Sequence, residues 1–236
     1  MTKIFYYLIK LFDKQTEEKV QNKICELLGS KIGLLVDVGF FLGEYFKNLK
    51  KKIEIQKAIA FEPNPETFKK VKKIFLTDNT VEIINCALGE KNSTKDFNLN
   101  FEPSSSSFNE MDFNSKYFKK KNIILNLFGF QKINKSIPVQ IKTLDEILQQ
   151  YDFKNIDLIK IDTEGYEYKI IKGIKNIIKN VKVIHFEHHY DNMLVKNYNI
   201  SDIHDYLVSK NFKKYFKIKM KFRKSFEYLY INKNFF

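Results

Sequence analysis

The sequence predicts an α/β domain built on a doubly wound, mostly parallel sheet that ends in an antiparallel hairpin. Short apolar runs at residues 34–38, 58–61, 81–87, 156–161 and 181–186 read as five parallel strands buried on both faces. Segments with apolar residues at helical spacing separate them. Residues 212–218 and 226–231 then alternate in strand fashion around the basic stretch 219–224, which is the pattern of a hairpin.

Before the first strand, Ile4, Phe5, Leu8, Ile9, Leu11 and Phe12, then Val20, Ile24, Leu27 and Leu28, predict one or two amphipathic helices over residues 1–30 that cover the sheet. Lys3 and Lys10 break this stretch, which is too short to span a bilayer and lacks a small-residue cleavage site of the secretory kind. Peripheral membrane contact through it is the weaker reading. The first strand stops at Gly39. Asp37, Gly39 and Gly43 form the pattern D-x-G-x-x-x-G, in which glycine lets the backbone bend and approach a ligand. This spacing differs from the dinucleotide fingerprint G-x-G-x-x-G, so a ligand without phosphates fits better. Glu62 closes the second strand, where a carboxylate can accept hydrogen bonds from both hydroxyls of a ribose. Two ordinary turn glycines and a solvated strand end are the plainer alternative.

Asn64 is placed to cap a helix that starts at Pro65, with Phe68, Val71 and Phe75 toward the sheet. The carboxyl end of the third strand lies beside the glycine turn in a doubly wound sheet. Cys86 and Ala87 there either line a nucleobase or are small residues under a turn. Periodicity weakens over residues 91–136: Phe97, Leu99 and Phe101 alternate like an edge strand, then come the serine run 104–107 and an aromatic, basic stretch. Such an insertion is either a lid or substrate loop, or a surface loop. Regularity returns at 137–141, and Thr143 with Glu146 predicts a capping box. The strand at 156–161 ends in Asp162, Thr163, Glu164 and Gly165, two acids on one side of the chain. Ile170, Ile171, Ile174, Ile177 and Ile178 predict one helix, and Glu187, His188 and His189 close the next strand. Ser201 is a candidate cap for a last helix running to about Lys210.

At 236 residues, with no linker rich in Gly, Pro or Ser, the chain reads as one domain. Its 44% hydrophobic and 15% aromatic residues are ample for a core and argue against disorder. Cys25 and Cys86 have neither metal spacing nor a disulfide framework, so a reduced, cytoplasmic setting is expected. The formal charge of +13 invites a nucleic-acid reading. The lysines are nevertheless dispersed over 47–57, 69–73, 116–121 and 213–224, which favours solvated faces over a polyanion or an anionic membrane.

The stretches VDVGFFLGEYF, AFEPNPETF, INCALGE, the serine run, IKTLDEI, IDLIKIDTEGYEYKIIKG and IHFEHH follow one another over residues 34–189. With them the chain resembles the FkbM-type family of S-adenosylmethionine-dependent methyltransferases. The resemblance implies a Rossmann-like, seven-stranded methyltransferase sheet with helices on both faces and an antiparallel seventh strand. It further implies S-adenosylmethionine as cofactor and O-methylation of a sugar, glycan or other small-molecule hydroxyl. By position it puts Asp37, Gly39 and Gly43 around the methionine part of the cofactor, Glu62 on the ribose and Asp162 beside the methyl-transfer site. One departure stands out: the family has D-V-G-A-N-x-G where this chain has Phe40 and Phe41, two rings that narrow the loop or remove a polar contact.

Methyl transfer to a hydroxyl needs a positioned acceptor oxygen and a group that takes its proton. Asp162, Glu164, Glu187 and His188 stand at the carboxyl ends of adjacent strands, where ligands of α/β sheets bind. Asp162, Glu187 and His188 are the catalytic candidates, although capping or an ion pair explains each one singly. No metal is called for; a divalent cation on these acids is the minority option. His185 reads as a core histidine and His204 as a surface one. An RNA acceptor, or a non-catalytic binding module on the same fold, are the rival readings.

Overall fold

The computed structural model describes residues 2–99, 106–109, 112, 135–190 and 194–236, with side chains from residue 12 onward. The chain forms α1 (Thr2–Leu28), β1 (Lys31–Val38), α2 (Glu44–Lys50), β2 (Glu54–Phe61), α3 (Pro65–Ile74), β3 (Val81–Ile84), β4 (Ala87–Leu88) and β5 (Ser93–Leu99). After the insertion come β6 (Lys135–Lys142), α4 (Leu144–Leu148), β7 (Ile156–Ile161), α5 (Glu167–Gly173), a 3-10 turn (Ile177–Asn180), β8 (Val181–His189), α6 (Ile200–Ser209), β9 (Phe212–Lys219) and β10 (Ser225–Asn232). Seven strands make one sheet in the order β3-β2-β1-β7-β8-β10-β9. The first five are parallel, and β10 enters antiparallel between β8 and β9.

Alternation along the strands gives the sheet two buried faces. Val36, Val38, Ile159, Ile161, Ile184 and Phe186 pack with α4, α5 and α6 on one. Leu35, Ala58, Leu158, Val183 and Leu229 pack with α1, α2 and α3 on the other. Helices therefore cover both faces, as the sequence predicts, and the N-terminal segment is one helix. On the α4 side lies a second sheet, β4-β6-β5, which carries the first residues of the insertion.

Several local expectations change. The third strand ends at Ile84, because Asn85 turns to donate its amide to the Glu62 and Pro63 carbonyls, and Ala87 then pairs with Ile141 in the small sheet. The capping box at Thr143 is half-formed. The Thr143 hydroxyl accepts from the Glu146 amide, whereas the Thr143 N–H donates to Asn92 and the Glu146 carboxylate turns to the Asn92 amide. Asn199, not Ser201, caps α6, in a reciprocal box with Asp202. The isoleucine stripe breaks at Ile174, where the backbone leaves helical geometry. Asn64 caps α3 with Pro65 at its first position, as the sequence predicts. The expectations for Phe101, Ser104 and Ser105 lie outside the described residues. No helix among the described residues is long and apolar enough to cross a membrane.

Candidate active site

A cleft opens at the carboxyl ends of β1, β2 and β7. It lies where the chain leaves β1 toward β2 on one side of the sheet and β7 on the other, the switch point at which such sheets bind ligands. It is lined by Val38, Gly39, Phe41, Phe61 and Glu62 from the ends of β1 and β2, by Asp162, Thr163 and Glu164 after β7, and by Cys86, Ala87, Leu88, Phe97, Ser106, Phe108 and Tyr166. The space enclosed, including what is open to solvent, is about 560 Å³.

The glycine loop is folded against β2 by two hydrogen bonds, from Gly39 N–H and Phe40 N–H to the Phe61 carbonyl, at 3.1 and 3.0 Å. Gly39 has φ 84°, and a Cβ there would lie 1.9 Å from the Asp162 carbonyl oxygen, so only glycine lets β1 and β7 end in contact. Gly43 has a different task. A Cβ on it would meet Phe75 at 2.5 Å and Phe40 at 2.8 Å, and it does not line the cleft. Phe40 is 3% exposed, with its ring 5.4 Å from Phe75 and 6.1 Å from Phe46. Of the two rings that interrupt the family pattern, Phe40 is therefore core and Phe41 alone borders the cleft. Phe41 holds φ 50°, a left-handed conformation, and donates its N–H to Glu62 Oε2 at 2.9 Å.

Glu62 Oε1 accepts a second backbone N–H, from Asn64, at 2.9 Å. Burial pushes its carboxyl up to about 7, against these two donors. Each oxygen keeps a lone pair for a ligand hydroxyl. Ala87 and Cys86 line the slot opposite, and burial moves the Cys86 thiol up to about 11, so it presents a neutral, apolar face. Gly39, Glu62, Ala87 and Asp162 thus meet in one cleft.

Asp37 does not. It points to the other face of β1, wholly buried, with Lys160 Nζ 3.7 Å from its Oδ1. Burial raises its carboxyl to about 6 despite that ammonium. Lys160 also reaches Asp162 Oδ2 at 3.4 Å. Burial alone would raise Asp162, but Lys160, ahead of His189 and Arg223, outweighs it and holds the carboxyl below its ordinary value. Glu187 and His188 separate, because successive residues of a strand face opposite ways. Glu187 lies on the Lys160 face, its Oε1 3.3 Å from His189 Nε2, which is also 3.3 Å from Glu164 Oε2. His188 sits on the opposite face against Tyr190 and Tyr198, where burial, ahead of Lys196 and His189, lowers its imidazole to about 3. It lines neither the cleft nor a neighbouring groove, and its imidazole is neutral. His185 is a core histidine that bonds the Tyr45 hydroxyl at 3.0 Å and Glu227 Oε2 at 2.8 Å. His204, expected at the surface, is half-buried and meets the Tyr230 hydroxyl at 3.0 Å.

Four residues that shape the site carry little sequence signal. Glu167 Oε1 accepts from Thr163 N–H, the Thr163 hydroxyl and Gly165 N–H, and so fixes the turn after β7. Ser107, in the serine run, donates to the Glu164 carbonyl at 2.7 Å, and Asn109 donates to the Gly165 carbonyl at 2.7 Å. Lys160 was legible in principle, as a lysine inside a buried run two residues before Asp162. Among the described residues no three His, Cys, Asp or Glu side chains gather as a metal site.

The fold resembles solved methyltransferases. The magnesium protoporphyrin IX methyltransferase of Synechocystis, with bound S-adenosylmethionine, aligns over 95% of this chain and 81% of its own (TM-score 0.54, 8% identity). M. capricolum TrmK with S-adenosylhomocysteine aligns over 90% and 67% (TM-score 0.50, 10% identity). In sequence, the hexuronic acid methyltransferase AglP of Haloferax volcanii is 27% identical over 66% of this chain and 56% of its own length. The 2-O-methyltransferase NoeI of Sinorhizobium fredii is 24% identical over 72% and 69%. This chain thus spans little more than half of the first relative. The methyltransferase FkbM domain matches residues 37–214, and the chain belongs to the FkbM family of S-adenosylmethionine-dependent methyltransferases.

Proposed function

We propose that the cleft binds S-adenosylmethionine and that the protein methylates a hydroxyl of a sugar or another small polyhydroxylated molecule. The observation that carries this reading is the pairing, in one cleft, of a twice-anchored carboxylate at the end of β2 with an ionised carboxylate at the end of β7. Glu62 suits the two ribose hydroxyls, and the small, neutral wall of Cys86, Ala87 and Leu88 suits a flat base. Asp162 suits a cationic end. The residues present fit the cofactor, whose sulfonium supplies an electrophilic methyl group when bound.

The protein's own part is to place the acceptor oxygen and take its proton. Next to the cleft, and sharing Phe108 with it, runs an open groove lined by Lys95, Asn98, Asn109, Lys169, Lys196 and Asn197. Amide and ammonium donors beside an aromatic ring are the equipment for a polyhydroxylated ligand. Lys196 donates to the His189 carbonyl, so the groove reaches the end of β8. Burial raises the Glu187 carboxyl far above its ordinary value, with Glu227, Asp162 and Glu164 adding to the effect against His189. Raised to about 8, the carboxyl accepts a proton in its ionised fraction, which grows as pH approaches that value. As the acceptor oxygen gains the methyl group, its proton passes to Glu187, and Asp162 orients the reacting ends. The relatives named for a hexuronic acid and for 2-O-methylation support a sugar hydroxyl as acceptor.

Calorimetric titration with S-adenosylmethionine, S-adenosylhomocysteine and NAD tests the reading. The first two bind and the third does not, and Glu62→Ala weakens both by about 1.5 to 3 kcal/mol, the range for a hydrogen bond to a charged group. Binding of NAD alone, or unchanged affinity in Glu62→Ala, would overturn it.

A further inference from the structure

Among the described residues Lys160 is the one buried lysine, and burial of an ammonium is costly unless carboxylates surround it. Its Nζ lies 3.7 Å from Asp37 Oδ1, 3.4 Å from Asp162 Oδ2 and 5.3 Å from the centre of the Tyr45 ring. The two acids differ in what they face. Asp37 is sealed, and neither of its oxygens accepts a hydrogen bond from the described residues. The Asp162 side chain is 40% exposed and lines the cleft. The ammonium therefore stands between one hidden carboxylate and one that meets the ligand.

We propose that Lys160 is a positioning residue of the site. It keeps the Asp162 carboxylate ionised and turned into the cleft, toward the sulfonium end of S-adenosylmethionine, while Asp37 holds the lysine from behind. This rests on the cofactor reading above. Two carboxylates and one ammonium leave one net negative charge, and of the three groups only Asp162 presents it to a ligand. Without the ammonium, Asp37 and Asp162 share a desolvated space, and Asp162 takes a proton at a higher pH than it does beside Lys160. The other groups around Lys160 are Tyr45 from α2, Glu17 from α1, His185 from β8 and Glu227 from β10. Asp162 further feels His189 and Arg223, and lies near Glu187.

Carboxyl ¹³C NMR of the full chain, with the Asp162 signal assigned through Asp162→Asn, follows this acid directly. In the wild type Asp162 stays ionised to below its ordinary value. In Lys160→Met its midpoint rises by about one unit or more, and in Lys160→Arg, which keeps the charge, it returns toward the wild type. If Lys160→Met does not fold, the pair Asp37→Asn/Lys160→Met is titrated, and a smaller rise in the same direction is expected, because the attraction of Lys160 is lost while the repulsion of Asp37 is removed with it. Calorimetry supplies the second arm. Between pH 7.5 and one unit below the variant's own Asp162 midpoint, where about nine tenths of this acid is protonated, the affinity of the variant for S-adenosylmethionine falls several-fold more than that of the wild type over the same range. Its affinity for neutral S-adenosylhomocysteine, which shares the amino-acid end, follows the wild type. An unmoved Asp162 midpoint, or a moved midpoint with an unchanged pH profile of S-adenosylmethionine binding, overturns the proposal. A wild type that binds no S-adenosylmethionine at any pH overturns the cofactor reading and the ligand-facing half of the proposal, while the NMR titration still decides the ion triad.

Discussion

Phe40 and Phe41 are neighbours of the same type with opposite roles, and replacing each separates strain from packing. Phe41 is half-buried and holds φ 50°, a region that costs an L-residue about 1 to 2 kcal/mol and that asparagine tolerates better than most. Phe41→Asn releases part of that strain and forfeits part of the roughly 1.5 to 3 kcal/mol that a fully buried phenylalanine contributes. The two effects nearly cancel, so stability changes by about 1 kcal/mol or less, a shift of no more than about 4 °C in a chain of this size. Phe40→Ala has no compensation: it opens a hole between Phe46 and Phe75. It costs about 3 to 5 kcal/mol, or roughly 6 to 20 °C. Thermal melting followed by circular dichroism measures both, and calorimetry of Phe41→Asn with S-adenosylmethionine is expected to show equal or tighter binding. Loss of more than about 3 kcal/mol in Phe41→Asn would refute the argument, because the ring would then be holding the loop and the left-handed residue would not be its strained point.

Gly39→Ala puts a methyl group 1.9 Å from the Asp162 carbonyl at φ 84°, so it should cost more than about 4 kcal/mol; a melting point near the wild type would mean that β1 and β7 can part there. The Glu187 carboxyl is raised in the folded chain to about 8, so the stability it contributes is complete below pH 4.5 and is lost as pH rises toward 8. Glu187→Gln, which mimics the protonated acid, should then melt like the wild type at pH 5 and higher than it at pH 8.5, and equal melting curves at both values would contradict the assignment. Lys169→Ala, in the groove but not the cleft, should raise the acceptor KM roughly fivefold, about 1 kcal/mol, with unchanged cofactor affinity. Phe108→Ala, which borders both spaces and packs on Phe97 and Tyr166, should weaken both ligands and stability together.

The fold was legible because its determinants are local. Apolar runs, the Asn64 and Pro65 start of α3, and the two glycines of the turn each act within a few residues. The cleft residues Gly39 and Glu62 were legible for the same reason: they sit at strand ends that the pattern itself marks. The strand-end acids were visible as residues but not as partners. Which of Glu187, His188 and His189 meet Asp162 depends on the face each takes, and that depends on register across β7 and β8. Ser107 and Asn109 were less accessible still, since their partners are the carbonyls of Glu164 and Gly165, more than fifty positions away in sequence. A resemblance carried by position put Asp37 in the loop around the methionine part of the cofactor, and its side chain lies beside Lys160 and does not line the cleft.

The pleat sorts the chemistry of the whole centre. In β1, β7 and β8 the alternate residues Val36, Val38, Ile159, Ile161, Ile184 and Phe186 give one face an apolar centre, while the other set brings Asp37, Lys160 and His185 into a single row. Asp37 is opposite Lys160 in one pairing, and Lys160 is opposite His185 in the next. Across the antiparallel pair, Glu227 lies opposite Glu187 and reaches back to His185. Hydrophobic burial alone says which face a residue takes, but central strands that are apolar on both faces specify their register only weakly. A one-residue slip of β7 would move Lys160 into the face occupied by Ile159 and Ile161 and leave Asp37 without its ammonium. An unpaired buried charge costs about 3 to 5 kcal/mol, a large share of the stability of a domain. The ion row beneath the cleft therefore discriminates against the slipped pairings that the apolar residues would tolerate, and it fixes the height at which Gly39 and Asp162 meet.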